Sequence, residues 1–379
     1  MKKLSIKILA FCLSVLMVFS FAACDKADEL FGGGGNSSAS PVGGVEISEA
    51  EKLKNDTIVD GELTIHFLEL GNKYTGDCIY IKAGDVDILI DAGSKVSSVD
   101  TINSYISGYV TDNKLEYVIV THAHEDHYAG FATTEKKTSL FDLYECETII
   151  DFAQVTSGKA DTAMYKNYVR ERDDEIKAGA THYTAAEFVE MGGVVELAEG
   201  MTLTILDSYF YYNRSSDENN HSVCTLLTHG ENNYLFTGDL ELEGEEKLVE
   251  MNELPTVKVF KAGHHGSKTS SNEVLLEVIK PQIVCVCCCA GSPQYTDTDE
   301  NQFPTQQFIN RIAPYTDKVY VTTLCVDYKN DKYESMNGNI VIRSDNGGVT
   351  VVCSESTKVL KEFKWFKEHR ILPKAWGGN

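Results

Sequence analysis

Residues 121–130 read Thr-His-Ala-His-Glu-Asp-His-Tyr-Ala-Gly, so three imidazoles and a carboxylate fall within His122-x-His124-x-Asp126-His127. Imidazole and carboxylate are donors suited to zinc and similar first-row ions. The apolar run Tyr117-Val118-Ile119-Val120 just before them predicts a strand that feeds a loop. On an extended segment His122 and His124 project to one side, because strand side chains alternate with period two. Asp126 and His127 then turn the opposite way in the loop. One short segment can in this way feed two adjacent ions. The competing reading, a solvated polar loop, sits poorly with so dense a pattern.

Further candidate residues follow apolar runs in the same manner. Ile88-Leu89-Ile90 leads to Asp91-Ala92-Gly93, and Tyr234-Leu235-Phe236 leads to Thr237-Gly238-Asp239. Val257-Lys258-Val259-Phe260 leads through Lys261-Ala262-Gly263 to His264-His265-Gly266-Ser267. Each motif alone is weak. Together and in this order they resemble the metallo-β-lactamase superfamily over about residues 60–355. Leu63 to Gly71 with Gly76-Asp77-Cys78-Ile79, and His264 to Ser271, are similar to the ComEC-like branch, as is Val341 to Gly347. Secreted teichoic-acid phosphorylcholine esterases share much of this pattern. The chain departs at Asp217-Glu218-Asn219-Asn220-His221-Ser222-Val223, where many members place a His several residues earlier and the ComEC-like branch reads Asn-Asn-x-Ser. His221 is therefore either a ligand or a loop residue, with Asn220 or a water as the substitute. A second departure is Gln302-Phe303-Pro304, where that branch has Gly-His-Pro.

The resemblance implies an αββα sandwich and two divalent metal ions, zinc first and manganese as the other choice. His122 and His124, with or without His221, would hold one ion. Asp126, His127 and His264 would hold the other, and Asp239 would bridge, so that Asp126 and Asp239 carry the catalysis. Asp91 would orient the second motif from behind the ligands. Such an ion pair acidifies a water and stabilises charge on the reacting oxygens. His265, Ser267 and Lys268, placed before a helix start, would suit a phosphate oxygen, or else form a plain polar loop. The leading function is a cell-surface phosphodiesterase. Hydrolysis of a lactam, lactone or thioester, or an inert metal-holding surface lipoprotein, are the alternatives.

Composition bears on partners. Hydrophobic residues make up 42% of 379, enough for a sizeable core. The formal charge is −23, and removal of a leader holding Lys2, Lys3 and Lys7 and no acids takes it to −26. Such a surface repels polyanions and argues against tight duplex nucleic-acid binding. A small or polymer-borne phosphodiester is the expected substrate.

The N-terminus reads as a targeting segment. Three lysines precede an apolar stretch from Ile8 to Phe21, too short for a comfortable span. Phe21-Ala22-Ala23-Cys24 resembles a lipobox, which makes residues 1–23 a lipoprotein signal peptide and Cys24 the lipidated anchor to the membrane. Cleavage as an ordinary signal peptide is the other reading. Residues 24–57, with Gly32 to Gly35, form a flexible tether. The hydrolase domain then covers 58–355 and a C-terminal tail 356–379, in an extracytoplasmic location.

Eleven cysteines in an exported chain suggest disulfides, yet Cys285, Cys287, Cys288 and Cys289 lie in one apolar run. Buried thiols fit that run better than a redox or metal cluster. Strands are expected near 62–91, 117–120, 201–207, 223–228 and 234–237, and helices near 99–110, 161–177 and 243–251. Residues 131–200 read as a partly helical insertion. Ser270 with Glu273 reads as a capping box for a helix through Ile279. Tyr209-Phe210-Tyr211-Tyr212 either stacks on a substrate or packs a strand end. His182, His229 and His369 have no motif context.

Overall fold

The computed structural model describes residues 62–132, 137–345 and 348–379. The leader, Cys24 and the tether therefore lie outside the described residues.

Sixteen strands are described: β1 (Leu63–Phe67), β2 (Ile79–Ala83), β3 (Val86–Ile90), β4 (Lys114–Val120), β5 (Glu145–Asp151), β6 (Thr181–Thr184), β7 (Val194–Ala198), β8 (Met201–Ile205), β9 (Thr225–His229), β10 (Asn232–Phe236), β11 (Val259–Lys261), β12 (Ile283–Ala290), β13 (Val319–Asp327), β14 (Lys332–Ser335), β15 (Ile340–Asp345) and β16 (Gly348–Cys353). They form two eight-stranded sheets, ordered β16-β15-β1-β2-β3-β4-β5-β6 and β14-β13-β12-β11-β10-β9-β8-β7. Each sheet is mixed. β3 to β6 run parallel in the first, and β10 to β13 in the second.

Side-chain alternation builds the layers. In β1 Phe67 faces the second sheet, its ring 6.1 Å from that of Phe236. The preceding His66 faces outward and meets Tyr105 of helix α1 (Val99–Ile106). In β10 Tyr234 and Phe236 join the core between the sheets, while Leu235 joins a second core. That second core lies under helices α2 (Leu242–Met251), α3 (Glu273–Ile279) and α4 (Gln306–Ile312), through Leu248, Leu275, Leu276, Ile279, Phe308 and Ile309. The result is the αββα sandwich that the resemblance implied.

The cysteine run forms β12, where all eight residues are buried. Cys285 and Cys287 face one core and Val284, Val286 and Cys288 the other. A strand covered on one face by the opposing sheet and on the other by helices reads as a continuous apolar run.

Two sequence expectations change. Residues 131–200 are no mere insertion, because β5 and β6 extend the first sheet and β7 edges the second. Residues 356–379 are no loose tail, because Leu360, Trp365, Phe366 and Trp376 pack into the second core. Among the described residues no helix is long and apolar enough to cross a membrane.

Candidate metal centre

The candidate residues meet at one edge of the sandwich. β3 ends before Asp91, β4 before His122, β10 before Asp239 and β11 before the two histidines at 264 and 265. In open α/β sheets, ligands gather outside the carboxyl ends of parallel strands, where loops can converge without breaking the sheet. Two glycines permit the close approach. A Cβ on Gly93 would sit 1.5 Å from the carbonyl oxygen of Asp126. Gly238, at φ +53°, has Ser222 and Thr121 about 3 Å from where a Cβ would be.

The second motif is held from behind by Asp91. One oxygen of that carboxylate accepts from the Thr121 N–H at 2.8 Å. The other accepts from the Thr121 hydroxyl at 2.8 Å and lies 2.7 Å from His127 Nδ1. This fixes the His127 ring and turns its Nε2 toward Asp239 Oδ2, 3.1 Å away. His122 is fully buried, and its Nε2 faces His124 Nδ1 at 2.9 Å. Asp126 Oδ2 accepts from the Tyr295 hydroxyl at 2.7 Å.

Asp239 is the convergence point. Its Oδ2 has four imidazole nitrogens around it: His127 Nε2 at 3.1 Å, His265 Nε2 at 3.2 Å, and those of His122 and His264 at 3.9 Å. Its backbone N–H donates to Ser222 Oγ at 3.1 Å. Asn220 Oδ1 accepts from the N–H of Glu241 at 3.2 Å, so the third-motif segment braces the fourth. On the far side Lys261 Nζ lies 3.5 Å from Asp239 Oδ1 and pairs closely with Asp77.

The electrostatics follow from burial among opposed charges. Burial pulls the imidazolium forms of His122 and His124 down, so both pKa values fall below the ordinary histidine value. For His127 burial works the same way, but Asp239 and Asp91 outweigh it and the pKa rises. His265 rises for the same reason, through Asp239 and Asp77. Burial opposes ionisation of Asp77, but Lys261 and then His265 outweigh it and hold it anionic. Burial also opposes a charged Lys261, and Asp77 and Asp239 overcome it, so its ammonium form is stabilised.

The donor set fits a metal. His122, His127 and Asp239 form one compact group of ligand atoms, and Asp126, His127 and His265 form another. Two further groups centre on Asp77: one with Asp91 and His127, one with Asp239 and His265. The buried His265 Nε2 lacks a well-formed hydrogen bond in spite of its close approach to Asp239 Oδ2. Donor atoms that converge without satisfying one another are what a cation site requires. An imidazole nitrogen has one lone pair, so His127 Nε2 can serve one ion only. Asp239 Oδ2 lies near nitrogens of both groups, those of His122 and His127 in one and His265 in the other.

The sequence placed several residues differently. His264 was the expected ligand and His265 the phosphate contact. The structure puts His265 in the compact groups, 1% exposed, and leaves His264 at the margin, its Nδ1 3.1 Å from Glu241 Oε1 and its side chain 22% exposed. Both residues adopt positive φ, 46° and 56°, and this turn swings the second ring inward. His221 lies outside these groups. Its Nε2 accepts from the Ser215 N–H at 3.1 Å, and its Nδ1 is 3.5 Å from Glu218. The expected phosphate cradle does not form. Ser267 Oγ pairs with Thr269 Oγ1, and Lys268 reaches out to Asn301. The N–H groups just before α3 are taken, since Glu245 accepts from Ser271 and Asn272. The helix begins after Asn272, so Ser270 is no cap; its hydroxyl donates to the Leu240 carbonyl.

Asp77, Lys261, Glu241 and Tyr295 were not assigned roles from sequence. Asp77 and Lys261 lie within segments that carry the resemblance, and a charged residue flanking an apolar run is the available signal. Tyr295 and Glu241 had none. Of the aromatic run 209–212, Phe210 and Tyr211 are buried and Tyr209 and Tyr212 exposed.

Comparison with known proteins agrees. ComE operon protein 3 of Bacillus subtilis (strain 168) is 28% identical over 180 residues, covering 46% of this chain and 20% of the relative. Recombination protein 2 of Haemophilus influenzae is 29% identical over 126 residues, 33% of this chain and 15% of the relative. The chain thus spans a fifth or less of these curated relatives. Among solved structures, the metallo-beta-lactamase fold protein YhfI from Bacillus subtilis aligns with 73% of this chain and all of its own, at 10% identity and TM-score 0.40. CmlA, a diiron beta-hydroxylase from Streptomyces venezuelae, aligns with 74% of this chain and 55% of its own, at 11% identity and TM-score 0.41. The profile of the Metallo-beta-lactamase superfamily matches residues 71–290, more than half of the sequence, and the chain belongs to that superfamily.

Proposed function

We propose that this protein is a binuclear metal-dependent phosphodiesterase held at the outer face of a cell membrane by a lipid on Cys24. The observation that carries the metal part is the convergence of four imidazole nitrogens within 3.1 to 3.9 Å of Asp239 Oδ2. His122 and His124 would hold one ion. Asp126, His127 and His265 would hold the second, with Asp239 between them. When bound, such a pair supplies an acidified water and Lewis-acid stabilisation of phosphoryl oxygens.

The chain's own residues do the rest. Asp91 and Thr121 hold His127 in one tautomer and one orientation. Tyr295 is 55% exposed as a whole, but its hydroxyl is turned in beside Asp126, where burial of that end and then the Asp126 charge push its pKa up and keep the phenol proton. That hydroxyl stays a donor beside Asp126. A cleft of about 500 Å³ opens beside Glu241 and Asn220, with Lys268 as its one cation among Asp217, Glu241 and Glu243. An acidic cleft with one lysine suits a small diester, or one bearing a cationic group, better than a long polyanion. A relative named for recombination favours a phosphodiester over a lactam or thioester.

The test is a substrate panel with metal analysis at about 0.15 M salt, where exposed charges are screened beyond roughly 8 Å. Bis-p-nitrophenyl phosphate and p-nitrophenyl phosphorylcholine should be cleaved, with activity lost to chelators and restored by zinc or manganese. Plasmid DNA should be a far poorer substrate. Turnover of a lactam or thioester in place of the diesters overturns the proposal, and digestion of plasmid DNA alone points to a nuclease. Cys24→Ser should release the protein from the membrane fraction.

A further inference from the structure

Lys261 ends β11 and is 1% exposed. Burying a lysine is costly unless its charge is met. Here it is met three times. Nζ pairs with Asp77 Oδ2, lies 3.5 Å from Asp239 Oδ1, and donates to the Gly238 carbonyl at 3.2 Å. Asp77 in turn faces His265 Nδ1 through its other oxygen, at 3.1 Å. A protonated ammonium has no lone pair and cannot hold an ion. Lys261 nevertheless contacts the one carboxylate on which four histidines converge.

The two oxygens of Asp239 therefore have separate surroundings. Oδ1 faces a fixed cation, and Oδ2 faces the imidazoles. A carboxylate free to turn can take a single ion with both oxygens, and it then no longer links two. The same ammonium lies against the group formed by Asp77, Asp239 and His265, which on donor type alone would accept an ion. We infer that Lys261 is a positioning residue: a resident cation that reserves Oδ1 of Asp239, closes the Asp77 group to metal, and leaves Oδ2 as the only bridging atom. This rests on the reading of Asp239 as the bridge between two ions.

The test measures metal binding in the absence of substrate. The full chain and Lys261→Met are stripped of metal and titrated with zinc against a chromophoric chelator, and with Co(II) followed by its visible absorption. Removing a positive charge without any other effect would tighten cation binding. Loss of positioning predicts the reverse: the weaker ion loosens by about 10- to 100-fold and the Co(II) spectrum changes. Asp77→Asn/Lys261→Met removes both charges and leaves no orphaned buried carboxylate at 77. It should fold, by far-UV circular dichroism, and show the same loosening. Wild-type stoichiometry, affinity and Co(II) spectrum in the double variant, or tighter binding in either variant, overturns the inference. A wild-type chain that takes up no ion overturns the hydrolase reading and the inference together. Uptake of two ions by the wild type and an unaffected double variant overturns the inference alone.

Discussion

The two histidine-bearing halves of the centre are built in different ways. The half from the first sheet is local. His122, His124, Asp126 and His127 lie within six residues, and Asp91 on the adjacent parallel strand ties Thr121 and His127 together with three short hydrogen bonds. The half from the second sheet is assembled from distant segments. Asp239 follows β10, Lys261 and His265 come from the end of β11, and Asp77 reaches them from the turn before β2 of the first sheet; the four meet through opposed buried charges. Hydrogen bonds to a single carboxylate orient a ring whether or not an ion is present. A cluster of buried charges keeps its shape only while each charge is matched, so losing one partner leaves another uncompensated. The second half should therefore be the more fragile, and each experiment below can break that contrast.

The largest effect is expected at the shared point. Asp239→Asn keeps the shape but halves the charge available to the ions and leaves Lys261 less well matched. Turnover should fall beyond the roughly 100-fold that an outer hydrogen-bonding partner costs, with metal content reduced. Near wild-type kcat at full metal content would remove the convergence on Asp239 as the basis of the site.

Next comes the pair at 264 and 265. His265→Ala should lower metal content and activity much more than His264→Ala, because His265 is buried in the compact groups and His264 is partly exposed beside Glu241. The reverse order, read by metal analysis of both purified variants, would restore the assignment expected from sequence.

A pH experiment sharpens the contrast in stability. Glu245, behind the fifth-motif loop, is nearly fully buried, and burial pushes its pKa from 4.5 up to about 7 despite the hydrogen bonds from Asn272 and Ser271. A folded-state pKa above the unfolded one means that the stabilising form is the protonated one. That stability is complete below about pH 4.5 and is lost as pH rises to about 7. The span corresponds to roughly 3 kcal/mol at about 1.4 kcal/mol per pH unit. Glu245→Gln is neutral throughout. Its melting curve relative to wild type should therefore rise between pH 4.5 and 7.5, and parallel curves would show that Glu245 ionises normally.

The smallest catalytic effect is expected at His221. His221→Ala should leave metal content and turnover unchanged and cost about 1–3 kcal/mol of stability, from the Ser215 N–H left without its acceptor. Loss of one metal equivalent would return His221 to the ligand set.

The sequence by itself determined the fold class and the first half of the centre. Apolar runs of strand length, each ending in Asp or His, mark strand ends, and a motif within six residues needs no tertiary information to be seen as one site. It also determined the burial of the cysteine run, since eight consecutive apolar residues admit few exposed arrangements in a sandwich. Only the tertiary structure decided which of two adjacent histidines turns inward, because two positive φ angles reverse the period on which sequence reasoning relies. It alone decided that the helix begins after Asn272 and not after Ser270, with Glu245 of another helix accepting from the Ser271 and Asn272 N–H groups. It alone brought Asp77 to Lys261, 184 positions away in the numbering of this chain. For the last two the physical reason is the same: hydrogen bonds and ion pairs between distant segments depend on where the sheets place their strand ends, and nothing local in the chain encodes that distance.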